Sequence, residues 1–197
     1  MFKPLPAPNR KIGYIVKDLP EEFHSLMDDF IDVNHTLSLY HHLTQSYAIE
    51  LEGSKFSRFR EFVIDLGLEL DMCLENQYNN LSISKFWINY QAKTIFNPPH
   101  DHAGDFSFVI WYKIPYSIHE EKNRFPKALD LNTVGEFSFI YEGEYFCNQE
   151  FLPVDKSWEK KICIFPAKLQ HQVFPFYTSD EYRITFAGNL ISKEGKS

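Results

Sequence analysis

Short alternating or apolar runs fill the chain after Ser82, and they constrain its fold more than any other feature. They are separated by Gly, Pro and charged residues and read "ISKFWINYQA", "FSFVIWYKIP", "EFSFIYEGEYF", "KICIFP", "HQVFPF" and "YRITFAGNLI". Runs of this length, bounded by turn-forming residues, are typical of β-strands. Strands that follow one another so closely usually form a sandwich or a jelly roll. The aromatic content of 17% fits sheet faces packed together better than a helix bundle.

The N-terminal part of the chain has a different pattern and is predicted to be mainly helical. The run "KIGYIV" is expected to form a short strand, and "PEEFHSLMDDFI" opens with Pro20 and two acids, a typical helix start. The clearest helix is predicted over about Lys55 to Glu75. Apolar residues recur there at spacings of three and four, namely Phe59, Phe62, Val63, Leu66, Leu70, Cys73 and Leu74.

These patterns together predict an α+β chain with a jelly-roll core. We expect a single domain over residues 1–197, with residues 1–80 as a mainly helical support region. Residues 82–190 are expected to form a double-stranded β-helix (a jelly roll, cupin-like) on which the N-terminal helices pack. The polar segment from His119 to Val134 is predicted to be a long loop, and loops of that length are often functional.

Charge and cysteine content exclude several classes of protein. The net charge of −7 disfavours a non-specific nucleic-acid binder, which is normally basic. The three cysteines, Cys73, Cys147 and Cys163, are widely spaced and form no CxxC motif, so neither a disulfide framework nor cysteine-ligated zinc is expected. No apolar run approaches the roughly 20 residues of a membrane span, and no signal peptide is expected. We therefore expect a cytoplasmic protein; the oligomeric state is not encoded in any pattern.

Two histidines suggest a metal site. The stretch "NPPHDHAGDFSFVIWY" places His100 and His102 two residues apart, which puts their side chains on one face of an extended strand. The preceding prolines fix the backbone as extended. His171 starts a distant strand-like run, and two ligands from one strand plus one from another is how a jelly roll builds a facial metal site. Imidazoles suit Fe(II), Zn(II), copper and nickel alike, and such histidines are also found at ordinary strand edges.

An arginine strengthens this interpretation. Arg183 and Thr185 alternate onto one face of the strand that follows His171, after the turn "YTSD". If that strand pairs with the strand of His171, Arg183 enters the same barrel beside the metal. A buried arginine requires an anionic partner, and its planar fork suits a carboxylate, to which the Thr185 hydroxyl can add a hydrogen bond.

With these residues the sequence resembles the 2-oxoglutarate- and Fe(II)-dependent oxygenases, in particular the small members, often phage-encoded, with a PHxH…H…R pattern. The resemblance covers about Phe86 to Asn189 and rests on "NPPHDHAGDFSFVIWYKIP" and "IFPAKLQHQVFPFYTSDEYRITFAGN". It implies Fe(II) as the metal and 2-oxoglutarate as co-substrate, together with dioxygen and an unknown substrate. It also implies a location in the cytoplasm, which is the host's if the gene belongs to a phage.

The resemblance also implies roles for individual residues. His100 and His171 would ligate iron, and Arg183 would bind the far carboxylate of 2-oxoglutarate with help from Thr185. The strands flanking the first ligand carry Tyr90 and Tyr112 near positions where relatives place tyrosines that contact the co-substrate; either tyrosine could equally be a core aromatic with its hydroxyl at the rim.

One position departs from the family pattern, in which His-x-Asp or His-x-Glu is usual. His102 stands where the carboxylate is expected, so three possibilities remain. His102 is a third ligand, which is the favoured reading; or Asp105 bends in through the flexible Gly104; or metal binding is weak and activity is altered or lost.

Three functions are consistent with the sequence. The favoured one is a 2-oxoglutarate-dependent dioxygenase, a hydroxylase that couples oxidative decarboxylation of 2-oxoglutarate to C–H oxidation. The second is a three-histidine dioxygenase of the cupin type, which needs no keto acid. The third is a non-catalytic jelly-roll binding module with a vestigial site. Arg183 distinguishes the first from the second, because without 2-oxoglutarate it has no co-substrate to hold.

Overall fold

The computed structural model describes residues 1–8, 10–35, 45–78, 80–124 and 133–192. Within them the strands are β1 (Phe2–Leu5), β2 (Ile12–Asp18), β3 (Gln45–Ala48), β4 (Leu81–Gln91), β5 (Asn97–His100), β6 (Phe106–Lys113), β7 (Phe137–Glu142), β8 (Cys147–Leu152), β9 (Lys161–Pro166), β10 (Gln170–Val173) and β11 (Arg183–Ser192). The α-helices are α1 (His24–His35), α2 (Ser57–Leu74) and α3 (Ile118–Arg124), and short 3₁₀ turns cover Glu21–Phe23, Ser54–Phe56 and Lys156–Trp158.

The strands form two antiparallel sheets that face each other. The large sheet has the order β1-β2-β9-β6-β11-β4-β3, and the small sheet has the order β5-β10-β7-β8. Aromatic side chains fill the space between the sheets towards the β2 and β8 side, where the rings of Tyr14 and Phe139 lie 4.9 Å apart and those of Phe139 and Phe165 lie 5.0 Å apart. This architecture is the predicted jelly roll.

The first two helices cover the outer face of the large sheet. The predicted helix over Lys55–Glu75 is present as a 3₁₀ turn followed by α2, and five of its seven stripe residues are buried against the sheet. The helix lies very close to the sheet at Gly67, because a Cβ atom there would come within 2.7 Å of Leu190 and 2.9 Å of Leu81. The helix ends at Glu75, which adopts the left-handed conformation.

The N-terminal region contributes strands as well as helices. The expected strand in "KIGYIV" is present as β2, but β1 and β3 were not predicted. β1 and β2 pair as a hairpin and extend the large sheet beyond β9, while β3 forms its opposite edge beside β4. Residues 1–80 are therefore partly built into the jelly roll.

The polar segment from His119 to Val134 is not wholly a loop, which corrects that part of the prediction. Its first residues belong to α3, which has two acids in its first turn and two basic residues in its last. That charge distribution favours a helix because it complements the helix dipole. Residues 125–132 of the segment lie outside the described residues.

In the part of the chain that the structure describes, none of the helices combines the length and the apolar character needed to cross a membrane.

Candidate metal centre

The three predicted histidines lie together at one end of the small sheet. His100 is the last residue of β5 and pairs directly with His171 of β10. His102 follows two residues after the end of β5 and is held by its backbone N–H, which donates to the carbonyl of Ala167 at 2.9 Å. The potential ligand atoms of the three side chains all lie within 4.8 Å of one another. The chain therefore brings together a compact set of three imidazoles.

Backbone carbonyls set the orientation of two of the rings. The Nδ1 atom of His100 lies 2.7 Å from the carbonyl oxygen of Pro98, and Nδ1 of His171 lies 3.1 Å from that of Leu169. Since a carbonyl only accepts, Nδ1 carries the proton in each ring and Nε2 keeps its lone pair. This is the arrangement in which a second hydrogen bond fixes the ring of a metal ligand. Pro98 and Pro99 are tolerated because β5 is an edge strand of the small sheet.

Burial favours the neutral form of two of the imidazoles, those of His171 and His102. Desolvation, reinforced by the neighbouring His100, lowers the pKa of His171 to about 3. Desolvation also lowers the pKa of His102, again with His100 contributing. Neutral imidazole is the form that binds a metal. The three-imidazole donor set therefore fits a divalent metal such as Fe(II).

The two nearby aspartates point away from the histidines. The Asp105 carboxylate accepts a hydrogen bond from the backbone N–H of Ser192 at 2.7 Å, and Asp101 lies 3.1 Å from Lys168. Gly104, at φ +114°, packs its backbone against β11, where a Cβ atom would lie 2.8 Å from the carbonyl oxygen of Leu190. Asp105 thus does not join the cluster, and His102 does.

The histidines open into a cavity of about 340 Å³ between the two sheets. The small sheet supplies His100, His171 and the apolar side chains of Phe137 and Val173. The large sheet supplies alternate residues of its adjacent strands, namely Trp87, Asn89 and Gln91 of β4, Val109 and Trp111 of β6, and Arg183, Thr185 and Ala187 of β11.

Arg183 lies in this cavity but on the sheet opposite His171. The pairing of its strand with that of His171, a condition of the sequence-based interpretation, does not occur, because β11 pairs with β4 and β6 while β10 pairs with β5 and β7. Arg183 nevertheless lines the same cavity as the histidines, since the two sheets face each other. It is only 2% exposed, although it carries a full charge.

The guanidinium of Arg183 is hydrogen-bonded to uncharged groups. Its Nε and Nη2 donate to Gln91 Oε1 at 3.2 and 2.8 Å, and Nη2 also donates to the Phe174 carbonyl at 2.9 Å. Its Nη1 donates to the Tyr116 hydroxyl at 2.5 Å and to the Gly135 carbonyl at 3.4 Å. Among the described residues, no ion pair involves Arg183. The cavity therefore contains a buried positive charge that an anion could neutralise.

Thr185 also lines the cavity, but it does not contact Arg183 through a hydrogen bond. Its hydroxyl accepts from the Asn89 side chain at 3.4 Å, and Asn89 in turn accepts from Ser46. These three residues form a polar row across β3, β4 and β11, at the level between the histidines and Arg183.

Tyr90 and Tyr112 lie on the opposite face of the large sheet, so the structure does not place them with the other predicted site residues. The Tyr112 hydroxyl lies 2.5 Å from Asp28 Oδ1 and 2.9 Å from the carbonyl oxygen of His24, both on α1. The Tyr90 hydroxyl is directed at the carbonyl of Ile31 on the same helix. Both tyrosines belong to the core beneath the helices, which is the second of the two expectations, and neither lines the cavity of the histidines and Arg183.

Two residues that contact Arg183 were missed by the sequence prediction. Gln91 follows Tyr90 directly, and alternation along β4 puts the two side chains on opposite faces of the sheet, with Gln91 on the cavity face. The strand pattern could have indicated this. Tyr116 lies beyond the end of β6 in an irregular segment, where no periodicity indicates the direction of a side chain.

Comparison with known proteins identifies the family. A family model described as "Putative 2OG-Fe(II) oxygenase" matches residues 85–189, which is more than half of the chain. The protein belongs to this family of 2OG-Fe(II) oxygenases. Membership confirms the resemblance seen over Phe86 to Asn189, and with it the expected cofactors, Fe(II) and 2-oxoglutarate. A search of curated protein sequences found no match.

Solved structures share the fold. A prolyl-4-hydroxylase from Pseudomonas putida is 12% identical, with a TM-score of 0.60 over 93% of this chain and 94% of the other. HygX from Streptomyces hygroscopicus, determined with nickel and 2-oxoglutarate bound, is 8% identical, with a TM-score of 0.59 over 92% and 83% of the two chains. AviO1 from Streptomyces viridochromogenes is 8% identical, with a TM-score of 0.58 over 95% and 93%. At such identities the likeness establishes the jelly-roll fold alone.

Proposed function

We propose that this protein is a hydroxylase that depends on Fe(II) and 2-oxoglutarate. The observation that supports this most strongly is the joint placement of three imidazoles and a guanidinium without a carboxylate partner in one cavity between facing sheets. A metal alone would explain the histidines. A buried arginine without an anionic partner among the described residues is explained by a carboxylate that arrives with a ligand.

In this proposal His100, His102 and His171 would hold the iron, His100 and His171 through Nε2 because their Nδ1 atoms face backbone carbonyls. Bound iron and 2-oxoglutarate supply the oxidising chemistry, in which dioxygen, 2-oxoglutarate and a C–H bond yield succinate, CO₂ and an alcohol. Arg183 binds the distal carboxylate of the co-substrate and thereby orients it towards the histidines. The binding of 2-oxoglutarate by HygX, which shares the fold, agrees with this assignment.

The remaining wall residues exclude water and complete the binding surface. Phe137 and Phe165 pack against the ring of His171, with ring centroids 5.6 and 4.9 Å from it. Their apolar surface lowers the local dielectric, which strengthens the interaction between Arg183 and a carboxylate. Thr185 belongs to the polar row in the middle of the cavity and offers a hydroxyl along the path of the co-substrate.

His102, which stands in place of the usual carboxylate, makes a cupin-type dioxygenase the main competing function. Three neutral imidazoles are also the ligand set expected for a cupin-type dioxygenase that uses no keto acid, and Arg183 would then bind a carboxylate of the substrate. A non-catalytic module would bind neither metal nor keto acid tightly. These alternatives differ in what the protein binds, so they can be separated without knowing the substrate.

Anaerobic titration with Fe(II) and then 2-oxoglutarate tests the proposal. Chelation of iron by a keto acid gives a visible charge-transfer band, which we expect in the wild type and expect to be abolished at the same 2-oxoglutarate concentration in Arg183→Ala. Loss of the guanidinium that pairs with the distal carboxylate should weaken 2-oxoglutarate binding by about 100-fold. Tight iron binding without a band would support the cupin-type alternative, and absence of iron binding would support the non-catalytic one.

We also propose a cytoplasmic location. The three cysteines are free thiols in the structure, and Cys163 is completely buried, as expected for a protein that matures in a reducing compartment.

A further inference from the structure

All the hydrogen-bond acceptors around Arg183 are uncharged. All five N–H groups of the guanidinium have an acceptor, and every acceptor is an amide, a phenol or a backbone carbonyl. The charge is therefore satisfied in hydrogen bonds but not neutralised. An ordinary structural arginine at 2% exposure would be expected to pair with a carboxylate.

Gln91 has one orientation only. Its Nε2 donates to the carbonyl of Ile95 at 2.5 Å, so its Oε1 must face Arg183, where it accepts from both Nε and Nη2. Gln91 and Arg183 are also direct neighbours in the β4–β11 register. The single amide oxygen of Gln91 thus accepts from two nitrogens of the guanidinium while it carries no charge.

Tyr116 holds the other side of the guanidinium. Its hydroxyl accepts from Nη1 of Arg183 and donates to the carbonyl of Gly135 at 2.8 Å. Its ring is stacked on Phe176, with centroids 4.8 Å apart and planes inclined by 21°. Burial raises the pKa of Tyr116 even against the opposing effect of Arg183, so the phenol is neutral.

Two buried carboxylates in this region are engaged elsewhere. Glu121 is 0% exposed and accepts from the backbone N–H groups of Tyr177 and Thr178 at 2.8 and 2.7 Å. Glu136 is paired with Lys122 at 2.5 Å. Neither carboxylate reaches the guanidinium, which keeps its charge available to the cavity.

We propose that Gln91 and Tyr116 are positioning residues that hold Arg183 in place without neutralising it, so that the cavity selects keto acids with a second carboxylate. This inference rests on the proposed function. It predicts that the amide at position 91 matters for its lack of charge as well as for its shape. A carboxylate in its place would form the ion pair that the incoming co-substrate should form.

Two substitutions at Gln91 separate charge from shape. Gln91→Glu supplies an anion to Arg183, and we expect it to weaken 2-oxoglutarate binding by about 100-fold or more. Gln91→Leu is the uncharged comparison, because it removes the hydrogen bonds of Gln91 to Arg183 and to Ile95 and adds no charge. It should weaken binding by only about tenfold, through loss of orientation.

The measurement is calorimetric titration of Ni(II)-loaded protein with 2-oxoglutarate and with 2-oxopentanoate, which has the same carbon chain but no second carboxylate. Wild type should prefer 2-oxoglutarate by about 100-fold, and Gln91→Glu should lose this preference while its affinities for nickel and 2-oxopentanoate stay unchanged. If Gln91→Glu binds 2-oxoglutarate as well as Gln91→Leu does, or better, the inference is wrong. If the wild type itself shows no preference, the proposed function fails instead.

Tyr116→Phe provides an independent test, because it keeps the stacking on Phe176 and removes only the hydroxyl. Arg183 then loses one acceptor, and 2-oxoglutarate affinity should fall by about tenfold with 2-oxopentanoate affinity unchanged. An unchanged preference in this variant would remove Tyr116 from the assignment. This variant remains informative should either substitution at Gln91 prevent folding.

Discussion

His102 determines the charge of the metal centre. With three neutral imidazoles, a bound Fe(II) keeps its full double charge, whereas the usual carboxylate of the family pattern would reduce it by one. A dianionic keto acid is then attracted more strongly, and Arg183 adds a further positive charge at the other end of the cavity. If His102 is the third ligand, as proposed, its replacement of the usual carboxylate should favour binding of the co-substrate and weaken electron donation to the metal.

The choice between His102 and Asp105 as third ligand can be tested directly. We expect His102→Ala to lower the affinity for Ni(II) by at least about 100-fold, because it removes one of three ligands. Asp105→Asn should leave the affinity unchanged, since the Asp105 side chain accepts from Ser192 and an amide oxygen can do the same. Calorimetric titration with nickel measures both. A large loss of affinity in Asp105→Asn would instead make the aspartate the ligand.

At the scale of residues, sequence patterns located the histidines and Arg183 but left two tyrosines undecided between the site and the core. The difference concerns the face of a strand: Tyr90 and Gln91 are adjacent, and a shift of one residue exchanges the cavity for the helix-covered face. Closely spaced histidines indicate a metal site by their residue type and spacing, so they are recognisable without knowing which face of the sheet they lie on. Tyrosine and glutamine occur in both settings, so their role depends on a register that a single sequence does not specify.

At the scale of elements, α2 is the main support of the large sheet. Leu70 is 0% exposed on its inner face, and Met72 is 74% exposed on the same helix. We expect Leu70→Ala to lower the free energy of unfolding by about 2–5 kcal/mol because it leaves a cavity against the sheet. Met72→Ala, the matched control, should change it by less than about 0.5 kcal/mol. Chemical denaturation measures both variants.

The same helix lies on the face of the sheet opposite the cavity, so metal affinity provides a second measurement on the Leu70→Ala variant. Nickel affinity at the histidines should be unchanged in Leu70→Ala, since α2 contributes nothing to the lining of the cavity. A parallel loss of stability and metal affinity would show that the helix positions the site as well as supporting the fold.

Elements with a strong period were predictable, and short ones were not. The stripe of α2 and the alternation of β4, β6 and β11 extend over many residues, so the pattern identifies them. β1 and β3 have only four residues each, and β1 contains Pro4, which argues against a strand except at an edge, where this one lies. α3 is stabilised by Glu121, which caps the distant segment at Tyr177 and Thr178, a tertiary contact that is invisible in a local pattern.

At the scale of the whole molecule, the cavity exists because two sheets face each other. The order of the strands within these sheets could not be predicted from the sequence. The sequence allows a pairing of β11 with β10, its neighbour along the chain, but the two strands lie in different sheets. Strand composition indicates where the longer strands lie, whereas pairing depends on connections that cross between the sheets. The histidines and Arg183 converge without that pairing because both sheets direct side chains into the same space.

This arrangement also predicts how the metal contributes to stability. His100 and His171 belong to adjacent strands of the small sheet and His102 to the loop beyond β5, so a metal bound to all three joins segments that are distant in the chain. A ligand that binds only the folded state at 100 times its Kd stabilises it by about 2.7 kcal/mol. For a chain of this size that corresponds to a rise in Tm of about 5–10 °C. Thermal unfolding of metal-free protein with and without Ni(II) measures the shift.

His171→Ala should fold without metal, because the aromatic core between the sheets remains, and its Tm should not respond to nickel. A full nickel-dependent shift in that variant would mean that the metal binds elsewhere on the protein.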